Sequence, residues 1–163
     1  MGTEIERKFL LASDQWRDLT TASGRLIRQG YLSTVKERTV RVRTAGDEAW
    51  ITAKGITHGA SRAEFEFPIP LADANLMLDS LCEKPLVEKT RYLVKHGGKT
   101  FEIDEFHGEN AGLIVAEVEL EGEEATIDRP PWLGAEVTSD PRYFNVNLLR
   151  KPFSKWRREA DPP

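Results

Sequence analysis

Eight short segments of this chain alternate charged and apolar residues with a period of two, and that alternation restricts the fold more than any other feature. It runs through residues 3–11, 26–35, 38–45, 48–54, 62–68, 86–96, 99–106 and 113–121. Successive side chains of an extended strand point to opposite faces, so each segment is expected to be a half-buried strand. Sorted by parity, Glu4, Glu6 and Lys8 oppose Ile5 and Phe9, while Thr39, Arg41 and Arg43 oppose Val40 and Val42. Thr52 and Lys54 oppose Ile51 and Ala53, and Arg62, Glu64 and Glu66 oppose Phe65 and Phe67. Lys89 and Arg91 oppose Leu86, Tyr92 and Val94; Glu102 and Asp104 oppose Phe101 and Ile103; Glu117 and Glu119 oppose Val118 and Leu120.

Turn residues separate the segments, and Gly97-Gly98 between two alternating runs predicts a hairpin. Helices are fewer. Ser13 is placed to cap a short one holding Trp16 and Leu19, residues 71–82 repeat apolar positions at helical spacing, and a third short helix is expected over 141–150. The stretch 121–132 reads as a connection and 154–163 as a polar tail, so the expected organisation is one domain over 1–153 followed by that tail.

One strand face is therefore charged almost everywhere. It carries eight acids (Glu4, Glu6, Glu64, Glu66, Glu102, Asp104, Glu117 and Glu119) and six bases (Lys8, Arg41, Arg43, Lys54, Lys89 and Arg91), with Arg62 nearer a mouth. The solvated side of an ordinary antiparallel sheet also alternates. The doublets at 4/6, 64/66, 117/119 and 41/43 speak against it, because they hold like charges roughly 7 Å apart on one face. Such pairs cost energy unless counter-charges neutralise them. The expected fold is mainly β (α+β): an eight-stranded antiparallel β-barrel tunnel with a polar, charged lumen and a few helices packed outside. Carboxylates suit Mg2+ or Mn2+, and clustered Arg and Lys suit phosphate oxygens. Together they describe a metal-polyphosphate site.

Composition closes off other classes. The 163 residues hold 23 Lys plus Arg against 27 Asp plus Glu, a net charge of -4, which argues against a strongly basic nucleic-acid binder. Cys82 is the single cysteine, so no intrachain disulfide framework exists. No apolar run approaches the ~20 residues of a membrane span, and no signal-peptide core opens the sequence, so a cytoplasmic protein is expected.

At these same residues the chain resembles the triphosphate tunnel metalloenzymes, also called CYTH proteins. Glu4-Ile5-Glu6-Arg7-Lys8 is similar to their N-terminal E-x-E-x-K signature. Later blocks follow in matching order: VRVR (40–43), TAK (52–54), EFE (64–66), EKTRY (88–92), EIDEF (102–106) and AEVELE (116–121). The segment from Pro131-Trp132-Leu133-Gly134 to Arg142-Tyr143 resembles their C-terminal region. The match spans about residues 1–150 and is most like the small bacterial inorganic triphosphatase branch.

The resemblance implies hydrolysis of inorganic triphosphate to pyrophosphate and phosphate with a divalent metal, Mg2+ or Mn2+. It implies metal ligation by Glu4, Glu6 and Glu117 or Glu119, with Glu102 and Asp104 as further acids. Lys8, Arg41, Arg43, Lys54, Lys89 and Arg91 then grip the phosphate chain. Lys54 and Lys89 are candidates to stabilise the leaving group, and Glu64 and Glu66 to orient water or the bases. A class IV-type adenylate cyclase, a thiamine or nucleoside triphosphatase and a non-catalytic polyphosphate-binding module are the competing readings. The expected partner is a small triphosphate, with no nucleic acid or membrane and with a homodimer allowed. Tyr31 shares lumen parity, yet it is read here as a packing aromatic.

Overall fold

The computed structural model describes residues 2–59, 61–122 and 124–156, with side chains from Ile5 onward. Nine strands form the framework: β1 (Gly2–Leu11), β2 (Arg25–Ser33), β3 (Thr39–Ala45), β4 (Glu48–Lys54), β5 (Ser61–Pro68), β6 (Val87–His96), β7 (Lys99–Phe106), β8 (Ile114–Glu119) and β9 (Leu133–Glu136). Hydrogen bonding runs in the order β5-β4-β3-β2-β6-β7-β8-β1, and β1 pairs back onto β5, so eight strands close a ring. All pairings are antiparallel. The alternation therefore has an inside and an outside, and closure removes the open edges that a flat sheet would leave.

β9 is the strand that alternation alone did not separate from the connection before it. It spans four residues and lies beside the last part of β1, pairing Phe9 with Glu136 and Leu11 with Leu133. Gly134 permits that approach, since a Cβ there would stand 2.9 Å from the Leu10 carbonyl oxygen.

The outer face is covered unevenly. Phe9, Val94, Phe101, Ile103, Ala116 and Val118 point outward from β1 and β6–β8 and pack beneath Trp16, Leu120, Trp132 and Leu133. Trp16 sits in a 3-10 turn, Gln15–Leu19, shorter and tighter than the expected helix. Helix α1 (Leu71–Ser80) lays Ala74 and Leu78 on Val42 and Ala49 of β3 and β4. Phe65 and Phe67 of β5 are left 40% and 60% exposed.

The segment expected to be one helix over 141–150 is split. Pro141–Tyr143 form a 3-10 turn, and α2 (Asn145–Arg150) follows it. Tyr143 and Leu148 bury themselves against Val87, Phe106, Leu113 and Val115 at one end of the barrel. This end is therefore partly plugged, and burial of such apolar groups stabilises the plug by roughly 1.5–3 kcal/mol per side chain. Phe153–Lys155 form a further 3-10 turn, and Trp156 packs edge-on against Tyr143 and Phe153. The remaining tail residues, 157–163, lie outside the described residues.

Candidate active site

Inward-pointing residues of the ring build two cavities at opposite ends of the lumen. The front cavity, about 480 Å3, lies beside the α2 plug. Glu6 and Lys8 of β1, Tyr31 of β2, Arg41 of β3, Thr52 and Lys54 of β4 and Arg62 of β5 wall it from the barrel side. Phe144, Asn147 and Arg150 wall it from the plug side. The rear cavity, about 290 Å3, is lined by Arg25 and Ile27 of β2, Arg43 of β3, Trp50 of β4, Arg91 of β6 and Glu102 of β7. Each of β2, β3 and β4 thus gives one end to each cavity.

A layer of buried charge lies between them. Asp104 is 1% exposed and Lys89 is fully buried, with Lys89 Nζ 2.8 Å from Asp104 Oδ2. Arg91 clamps the same carboxylate with Nε and Nη2 at 2.8 and 2.9 Å, and its Nη1 reaches Glu102 at 3.1 Å. Bidentate guanidinium–carboxylate contacts of this kind fix orientation as well as charge. Lys8 Nζ lies 3.6 Å from Glu117 Oε1 and donates to the Tyr143 carbonyl at 3.1 Å, tying β1 and β8 to the plug. Arg43 Nε donates to Gln29 Oε1 at 3.2 Å. In register, Lys8 faces Glu117 and Glu117 faces Glu102. Because barrel strands tilt against the axis, that hydrogen-bonded row carries charge from the front mouth towards the rear.

Burial and neighbouring charge set the protonation of this layer. Burial pushes the Asp104 carboxyl up, but Lys89 and Arg91 outweigh it and hold the group below its ordinary range. Glu117 follows the same balance, with Lys8, Lys89 and Arg91 overcoming desolvation. Lys89 is the cation that yields: burial lowers it to about 7, Asp104 opposes the shift, and Arg91 and Arg43 add to it. Burial, Arg41 and Arg91 lower Arg43 to about 9. Lys8 moves the other way, since Glu117 and Glu6 exceed its desolvation cost. Burial raises the Glu102 carboxyl against the opposing charge of Arg91.

The sequence-derived set is thus spread along the lumen. Glu6, Lys8, Arg41 and Lys54 share the front cavity. Lys89, Asp104 and Glu117 form the buried layer, and Arg43, Arg91 and Glu102 reach the rear. Glu119 is exposed and sits opposite Glu6 in register. Glu64 pairs in register with Lys54, while Glu66 is exposed and accepts a hydrogen bond from Thr52 Oγ1 at 3.0 Å. The Glu4 side chain lies outside the described ones; its backbone pairs with Arg62. Tyr31 is not simply a packing aromatic, because it is buried and walls the front cavity. Strand parity was the signal for that position. Arg150, which donates to Thr34, had no such signal, because it arrives from a helix.

Glu6 walls the front cavity beside Lys8, and Lys8 in turn is paired with Glu117. Carboxylate oxygens of this kind suit a hard divalent cation, so the donor chemistry fits one. Among the described residues, no three acidic, histidine or cysteine side chains already converge on one point, and each lumen acid of the buried layer is held by a base.

Comparison with known proteins gives consistent results. The CYTH domain model matches residues 2–153. An inorganic triphosphatase of Acetivibrio thermocellus is 48% identical over 157 residues, covering 96% of this chain and 99% of that one. The crystal structure of an inorganic triphosphatase superposes with a TM-score of 0.63 at 35% identity, covering 90% of this chain and 97% of that one. A putative adenylate cyclase from Bacillus halodurans shares the fold at 18% identity, with a TM-score of 0.59 over 76% of this chain and 84% of that one.

Proposed function

The chain belongs to the CYTH domain family, and from that premise we propose that it hydrolyses inorganic triphosphate to pyrophosphate and phosphate inside the barrel. The observation that carries this reading is the front cavity, where Lys8, Arg41, Lys54 and Arg62 stand beside Glu6. Bases alone would bind an anion. Acids in the same space repel one unless a cation intervenes, so their presence argues for a metal-phosphate complex.

CYTH triphosphatases depend on metal in general, and Mg2+ or Mn2+ is the cation proposed here. Glu4, Glu6 and Glu117 would hold it, with Glu119 across from Glu6 and with Asp104 and Glu102 deeper in the lumen. When bound, such a cation neutralises phosphate charge and acidifies a water molecule. Lys8, Arg41, Arg43 and Arg91 bind and align the phosphate chain. Water attacks a terminal phosphorus, the bond to the bridging oxygen breaks, and pyrophosphate leaves with that electron pair. Lys54 and Lys89 stabilise the charge that develops on the leaving oxygen. Glu64, opposite Lys54, and Glu66, on Thr52, keep those neighbours oriented. A homodimer is part of the same proposal, and the single cysteine suits a reducing cytoplasm.

The test is one panel of tripolyphosphate, ATP, GTP and thiamine triphosphate, each with Mg2+ or Mn2+. Phosphate release from tripolyphosphate should exceed the others by at least about tenfold, the size of one well-placed recognition difference. Cyclic AMP from ATP would identify a cyclase instead, and tight binding without turnover would identify a binding module.

A further inference from the structure

The chain from Phe153 to Trp156 folds back over the plug and is tied down along its length. Phe153 N donates to Oδ1 of the buried Asn110 at 2.8 Å, and Ser154 Oγ donates to Glu109 Oε2 at 2.7 Å. Both partners belong to the turn between β7 and β8. Trp156 Nε1 donates to the Lys151 carbonyl at 2.9 Å, which turns the indole towards Tyr143. The two rings meet edge-on, with centroids 5.1 Å apart and planes at 89°, and the indole meets Phe153 at the same distance. The Arg142 guanidinium lies over both, 5.3 Å from Trp156 and 5.5 Å from Tyr143.

Tyr143 is where this strap reaches the lumen. Its ring packs with Trp156, and its backbone carbonyl accepts from Lys8 Nζ at 3.1 Å. The residue lies in a three-residue 3-10 turn whose own hydrogen bonds, Tyr143 N to Asp140 O and Phe144 N to Pro141 O, are both 3.2 Å long. So short a turn has weak internal geometry, and what packs on it sets its position. Lys8 carries three N–H donors. One is committed to Tyr143, and the charge is drawn to Glu117 Oε1 at 3.6 Å. What remains faces the front cavity, which Lys8 walls.

We infer that Trp156 is a positioning residue: by holding the Tyr143 ring it fixes the carbonyl that aims Lys8 Nζ at the triphosphate. Trp156 lines neither cavity, so it acts through Tyr143 and not by touching substrate. Arg142 and Phe153 hold the indole in turn. The inference rests on the proposed role of Lys8 as a phosphate ligand. Losing Trp156 therefore loosens the hold on bound substrate, and the effect falls on KM.

The test measures kcat and KM for tripolyphosphate with Mg2+ in the full chain, using the wild type, Trp156→Ala, Lys8→Met and the double variant. Trp156→Ala should raise KM about tenfold and leave kcat within about twofold. Trp156→Phe keeps an aromatic edge on Tyr143 and should bring KM back to within about threefold of the wild type. With Lys8→Met present there is no ammonium left to aim, so adding Trp156→Ala should change KM by less than about twofold. Equal effects in the two backgrounds would show that Trp156 only stabilises the fold, and a wild-type KM in Trp156→Ala would show that it does nothing to Lys8; either result overturns the inference. If Trp156→Ala folds poorly, Arg142→Gln at an exposed position removes the guanidinium from both rings and should raise KM about threefold; an unchanged KM there overturns the inference as well. If the wild type does not hydrolyse tripolyphosphate, the hydrolysis reading fails by itself. The same proteins are then compared by calorimetric Kd for tripolyphosphate with Mg2+, as they are if Lys8→Met is too slow to assay. The same non-additivity is expected, and its loss, or no binding by the wild type, overturns the inference.

Discussion

Asp104 holds together more of the lumen than any other single residue described. It is buried to 1% exposure, accepts two hydrogen bonds from Arg91 and forms an ion pair with Lys89. Removing one partner of a buried pair leaves the other charge uncompensated. Asp104→Asn should therefore destabilise the protein by about 3–5 kcal/mol, read from the urea midpoint. Adding Lys89→Met to it should return part of that loss, since the stranded ammonium is then gone; strict additivity of the two changes would contradict the coupling. Parity made this residue legible in the sequence, because Asp104 shares a face with Glu102. Parity could not show that Glu102 turns to the rear mouth while Glu6 turns to the front. That division comes from strand tilt, which no single segment encodes.

Among the elements, β1 has the most neighbours. It pairs with β8 along one edge, and with β5 and then β9 along the other. The eight alternating segments announced eight of the strands. β9 stayed hidden because four residues, one of them glycine, carry too little alternation. Its place is set by packing, and Gly134 is the contact that permits it. Gly134→Ala forces a Cβ against backbone and should cost about 1–3 kcal/mol in urea unfolding. Wild-type stability in that variant would show that β9 does not press on β1 as described. Helix α2 was legible as an amphipathic stretch, but its role as a plug was not. That role needs the barrel end lined by Val87, Phe106, Leu113 and Val115, which only closure brings together.

Taken as a whole, the molecule encloses most of its unusual charge, so its net charge of -4 says little about its ligand. Enclosure has a consequence for stability. Lys89 has a folded pKa near 7, below its ordinary value of 10.5, so above pH 7 the native state binds fewer protons than the unfolded chain. Stability of the metal-free protein should then rise as pH increases from about 7 to about 9, and Lys89→Met should flatten that rise. Asp104 and Glu117 act in the same direction at acid pH, because their folded pKa values are depressed and the stability they supply is lost as pH falls through the carboxylate range. Urea midpoints at pH 6.5 and 8.5 check the Lys89 effect; a fall over that interval in the wild type would contradict it. The central claim is chemical, and phosphorus-31 NMR of tripolyphosphate with Mg2+ tests it most directly. The wild type should convert each substrate molecule into one pyrophosphate and one orthophosphate, and Glu6→Gln should slow this by about 100-fold or more. No pyrophosphate from the wild type, or an undiminished rate in Glu6→Gln, would contradict the assignment of the lumen as the catalytic site.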